Sequence, residues 1–114
     1  MRPANQQQAI HHMEHLLSRK LTGNRHTKVK EHRQRTKRIA ATIYRKFQVG
    51  PYQYQLKHLR WYLDTQTRHL QPATRYRYWL TVRNITAALS KDDQWVVHLQ
   101  GCWRSASAHN GLPQ

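Results

Sequence analysis

Residues 27–47 read TKVKEHRQRTKRIAATIYRKF. Val29, Thr36, Ala40, Ile43 and Phe47 recur at steps of seven, four, three and four, a spacing that lines one side of an α-helix and does not fit a strand. Thr27 is placed to cap the helix, and Glu31 lies close enough to its start to favour the positive end of the helix dipole. The rest of the circumference is cationic. From Arg19 to Lys46 eleven Lys or Arg stand against one acid, Glu31. A solvated helix face normally intersperses both signs, with i to i+4 pairs that support it. Like charges at this density cost stability, which points to a polyanionic partner.

Working outward, Gly23-Asn24 and Val49-Gly50-Pro51 interrupt the pattern on either side, with a softer break at Leu70-Gln71-Pro72. Ahead of them, Ala4 to Leu21 carries Ile10, Met13, Leu16, Leu17 and Leu21, one apolar stripe on a first helix. Pro51 suits the first turn of a third helix, lined by Leu56, Leu59 and Leu63 with Lys57 and Arg60 outward. Pro72-Ala73-Thr74 starts a fourth, with Trp79, Val82, Ile85, Thr86 and Leu89 as its inner stripe. Asp92 and Asp93 open a short last helix with Trp95, Val96 and Leu99 on one side. From Arg104 onward Ser, Ala, Asn, Gly and Pro predict a disordered tail. No segment alternates with period 2. The expectation is an all-α fold, a compact bundle of four helices plus a short C-terminal fifth, forming one domain over residues 4–103 with the tail at 104–114.

Composition narrows the function classes. The chain has 114 residues, 20 Lys+Arg against 5 Asp+Glu and a formal charge of +15, with nine His to add more charge in acid. Such self-repulsion disfavours compaction unless a partner neutralises it, and nucleic acid or an anionic membrane surface would do so. Four Trp, six Tyr and only four Gly argue against disorder. One cysteine, Cys102, cannot make an internal disulfide, so the chain reads as reduced and intracellular. Gln and His occupy the first twenty residues where a secretory signal would be apolar, and no apolar run approaches the roughly 20 residues a membrane helix needs. The expected place is the cytoplasm, on the nucleoid if DNA-bound.

Three segments carry a family likeness: Leu56-Lys57-His58-Leu59-Arg60-Trp61-Tyr62-Leu63, His69-Leu70-Gln71-Pro72-Ala73-Thr74-Arg75, and Tyr78-Trp79-Leu80-Thr81-Val82-Arg83. Together they resemble the N-terminal core-binding, SAM-like domain of tyrosine recombinases (phage integrases). In that family a helix ending in a Tyr-Leu pair is followed by a short polar link, a helix start bearing Pro and Thr, and an amphipathic helix with Tyr and Leu at fixed steps. The cationic 27–47 helix also matches the long second helix of such domains. The resemblance covers about Ile10 to Leu99 and implies DNA binding. It lends nothing to strand cleavage: the family's catalytic domain, with its Arg, Lys and His cluster and nucleophilic Tyr, needs a further stretch of comparable or greater size, and the sequence ends at Gln114.

The residues then sort by chemistry. Phosphate contacts are expected from Arg25, Lys28, Lys30, Arg33, Arg35, Lys37 and Arg38, with a second set at Arg75, Arg77 and Arg83. Candidates for base-edge readout are Arg35, Gln34, Asn24 and His32, since guanidinium and amide forks match purine edges. Among the aromatics, Trp79, Trp95 and Tyr62 are assigned to the core, and Tyr52, Tyr54 and Tyr76 to a surface where bases can stack. His11, Glu14 and His15 match the H-x-x-E-H zinc pattern, but no third ligand has a recognisable motif, and solvated or DNA-facing His is the expected reading. Cys102 has no local base, and Gly23 and Gly50 stand alone without a phosphate-binding loop. No catalytic residue, metal or cofactor is expected. The expected function is a non-enzymatic DNA-binding protein, by resemblance an accessory or regulatory factor of a mobile element. The partner is double-stranded DNA; RNA, or a recombinase or replication protein, are the alternatives.

Overall fold

The computed structural model describes residues 2–18 and 26–104, the side chains of 26–31 excepted, and every regular element among them is helical. The chain runs α1 (Gln6–Ser18), α2 (His26–Phe47), α3 (Leu56–Trp61), which widens into a π turn at Tyr62–Gln66, α4 (Pro72–Ala88) and α5 (Asp92–Trp95). Single 3₁₀ turns follow at Val96–His98 and Cys102–Arg104. α1 packs along α2, and α4 packs against both. The all-α architecture is the one the periodicity predicts.

Asn5 starts α1: its Oδ1 accepts the Gln8 N–H at 2.8 Å, while Gln8 Oε1 accepts the Ala4 N–H at 2.8 Å, satisfying donors that a helix start leaves open. Met13, Leu16 and Leu17 are buried as expected, joined by Ala9, with Ile10 half-buried. Leu21 and the Gly23-Asn24 break lie outside the described residues, as does the side chain of Val29. α2 begins at His26, one residue ahead of the Thr27 expected to cap it. Its inner side is Thr36, Ala40 and Ile43, together with Ile39, which the predicted stripe omits. Gln48 ends it in the left-handed conformation (φ 60°), donating its N–H to Tyr44 O at 2.8 Å.

The 51–66 region departs most from expectation. Pro51 opens only a 3₁₀ turn, Pro51–Gln53, and α3 starts after Gln55. The break exists because Tyr54, expected on the surface, is buried in the core, its backbone extended between the two elements. The Gln55 N–H donates to Nδ1 of buried His58 at 2.9 Å. Tyr76 is half-buried, leaving Tyr52 exposed. Tyr62 and Trp79 fill the core as assigned, whereas Trp95 only reaches its edge. α4 starts at Pro72 as predicted and ends on Ser90 (φ 61°), with Lys91 N–H to Thr86 O at 2.8 Å and Ser90 N–H to Ala87 O at 3.0 Å, the paired bonds of a Schellman end.

Arg104, the first residue of the expected tail, is part of a regular element. That residue completes the last 3₁₀ turn, hydrogen-bonds Gln100, and places its guanidinium 5.9 Å from the centre of the Trp79 ring. Residues 105–114, where the rest of the tail was expected, lie outside the described residues.

Candidate nucleic-acid interface

Four threonines sit in the interior, Thr36, Thr67, Thr81 and Thr86. A buried hydroxyl must be hydrogen-bonded, and on a helix the nearest acceptor is a carbonyl one turn back. Thr81 donates in this way to Arg77 O at 3.1 Å, accepts from Arg35 Nε at 2.8 Å and lies 2.8 Å from His32 Nδ1. One turn along, Arg38 Nη1 donates to the hydroxyl of buried Tyr78 at 3.2 Å. These two rungs, 38 to 78 and 35 to 81, join α2 and α4 in antiparallel sense. Between the helices they leave an open groove of about 430 Å³ lined by Gln34, Arg35, Arg38, Thr74, Arg77 and Tyr78. Among the described residues three guanidiniums line it and no carboxylate does.

The groove divides the predicted set. Arg38 and Arg77 come together across it with Gln34, and exposed Arg33 lies on the outer face of α2. Lys37 is exposed too, but pairs with Glu14 of α1 at 3.3 Å. His32 and Arg35, expected to read bases, are tied to Thr81. Arg75 turns inward. Its Nε donates to Thr67 Oγ1 at 2.9 Å, its Nη2 to Leu63 O at 3.2 Å and its Nη1 to Cys102 Sγ at 3.0 Å, with the guanidinium 5.5 Å from the Trp103 ring centre. Arg83 pairs with Asp92 at 3.2 Å. Arg60, exposed as expected, donates to His98 O at 2.7 Å and places its guanidinium 5.8 Å from the Trp103 ring centre. Arg25 and Asn24 lie outside the described residues, as do the side chains of Lys28 and Lys30.

The sequence reading passed over Thr74, Tyr78 and Thr81. Their signal was present as spacing: Thr74, Arg77, Tyr78 and Thr81 fall on one face of α4 at helical steps. Glu14 of the H-x-x-E-H motif is occupied by Lys37, and among the described residues no group of three or more His, Cys, Asp or Glu is arranged to hold a metal. No described helix is long and apolar enough to cross a membrane. No family model, curated protein or solved structure matches the chain.

Proposed function

We propose that the protein binds duplex DNA through the outer face of α2 and the adjoining face of α4, as the likeness to integrase core-binding domains implies. The observation that carries this reading is the groove in which Arg35, Arg38 and Arg77 converge, with no acid among its described lining residues. In a chain of net charge +15 such a surface is stabilised by phosphate. Stacking on unpaired bases, which would favour RNA, has less support: of Tyr52, Tyr54 and Tyr76 only Tyr52 is exposed, and it lies against His12 of α1 at a ring distance of 6.0 Å. The proposed role is non-enzymatic, an accessory or regulatory factor of a mobile element.

Fluorescence anisotropy with duplex DNA, single-stranded DNA and structured RNA tests it. Duplex should bind best, and with about five phosphates neutralised log K should fall against log salt with a slope of about −4.5. A slope shallower than about −2, or a clear preference for RNA, would remove the reading. Purified protein is expected neither to nick supercoiled DNA nor to form a covalent adduct with it; an adduct lost on changing one Tyr to Phe would make the protein an enzyme.

A further inference from the structure

The α2–α4 groove differs from the rest of the cationic surface in being fixed. An exposed Lys or Arg is a mobile charge that loses side-chain entropy when it meets a phosphate. Arg38 is instead held through Nη1 by the hydroxyl of Tyr78, itself buried, with its ring 5.9 Å from that of Tyr62. Arg35 is held by Thr81, which is fully buried and donates its own hydrogen to Arg77 O. The same threonine thus fastens the backbone of Arg77 and the side chain of Arg35. The groove's walls therefore have a set spacing before any ligand arrives.

Three of the described acids are paired with other cations. Glu14 pairs with Lys37, Asp64 with Arg68 at 3.9 Å and Asp92 with Arg83. The guanidinium of Arg77 makes no hydrogen bond or ion pair with a described residue. Guanidinium groups from two helices facing one polar groove supply paired N–H donors in the geometry that suits a phosphate's oxygens.

We infer that this groove is a fixed site for one phosphate group of a nucleic-acid backbone, clamped by Arg38 from α2 and Arg77 from α4, with Tyr78 and Thr81 as positioning residues. The inference rests on the nucleic-acid reading above but adds a discrete, saturable point of contact that sets the register of the polynucleotide on the protein. Contacts made by the remaining α2 cations are then supplementary and exchangeable.

Pyrophosphate is the probe, titrated into the full chain and followed by NMR and calorimetry. The expected result is one site per chain, with shifts concentrated at Gln34, Arg38, Thr74, Arg77 and Tyr78. Arg38→Gln with Arg77→Gln should weaken binding about tenfold or more, the loss of one or two charge-assisted bonds. Lys46→Gln with Lys57→Gln removes the same charge from exposed positions and should change affinity less than about twofold, as expected for screened distant charges. Tyr78→Phe keeps the ring and should weaken pyrophosphate about threefold, the indirect share of a bond that positions Arg38 without touching the ligand, with the pattern of shifted residues broadened. Equal losses in the two double variants, or shifts scattered over all cationic residues, would overturn the fixed site. Pyrophosphate should also displace duplex DNA. Duplex binding that pyrophosphate leaves untouched would sink the inference and keep the nucleic-acid reading. Pyrophosphate binding without duplex binding would sink that reading and with it the polynucleotide as ligand.

Discussion

Gln48 and Ser90 occupy the left-handed conformation that glycine enters without a steric penalty. Holding that region costs an L-residue about 1–2 kcal/mol, a penalty glycine avoids, offset in part by the extra freedom glycine has when unfolded. Gln48→Gly and Ser90→Gly are therefore each expected to raise stability by roughly 0.5–1 kcal/mol, read from the urea midpoint; a fall at either site would refute the strain argument. His58 sets a pH dependence. Burial, and then the charge of neighbouring Lys57, hold its pKa below the ordinary value, and its Nδ1 must stay unprotonated to accept from Gln55. The folded state then binds fewer protons than the unfolded one, so the contribution is complete above about pH 6.5 and is lost as pH falls below it. His12 acts with the same sign, through burial first and then His11. Gln at position 58 keeps an acceptor for the Gln55 N–H, so His58→Gln should reduce the drop in thermal midpoint between about pH 7.5 and about pH 5. An unchanged drop would place the sensitivity elsewhere.

At the scale of elements, the π turn after α3 explains why the basic residues separate into two kinds. A widened turn leaves carbonyls without their usual partners, and Arg75 reaches across from α4 to Leu63 O and to Thr67, whose hydroxyl donates back to Leu63 O at 2.5 Å. Arg75 and Arg77 are two residues apart and point to opposite duties. Arg75→Gln should lower stability by about 1–3 kcal/mol, because half-buried acceptors lose their donors, while duplex affinity corrected for folded fraction changes little. Arg77→Gln should do the reverse, and similar stability losses in both would erase the distinction. This also marks how far the sequence could be read. The long helices were legible because the apolar stripes that hold Met13, Ile43 and Ile85 each recur with a period that packing must obey. The 51–66 segment was not, since Pro51 serves a 3₁₀ turn as well as an α-helix and nothing local announces that Tyr54 goes inside. The candidate site was half legible: the cations are visible in the sequence, but whether a given Arg faces carbonyls or solvent depends on the partner element.

For the whole molecule, a charge of +15 with three described ion pairs gives salt two opposite effects. Screening relieves self-repulsion in the folded chain and weakens attraction to phosphate. The thermal midpoint of the free protein should rise as NaCl goes from about 50 to about 500 mM, over the range in which duplex affinity falls. A midpoint that falls instead would mean the folded state depends on its ion pairs more than it suffers from repulsion. The C-terminal end has a different consequence. Trp103 donates its indole N–H to Leu99 O at 2.9 Å, and its ring lies so close over Gly101 that a Cβ there would collide with it. Residues 99–103 thus close on themselves, over a sequence separation that costs little loop entropy, and the guanidiniums of Arg60 and Arg75 lie 5.8 and 5.5 Å from the ring centre. A loop assembled from its own neighbours docks and undocks as one piece. In hydrogen exchange its protection should be lost as a cooperative step at lower free energy than the opening of α1, α2 and α4, so this end of the protein has an unfolding equilibrium of its own.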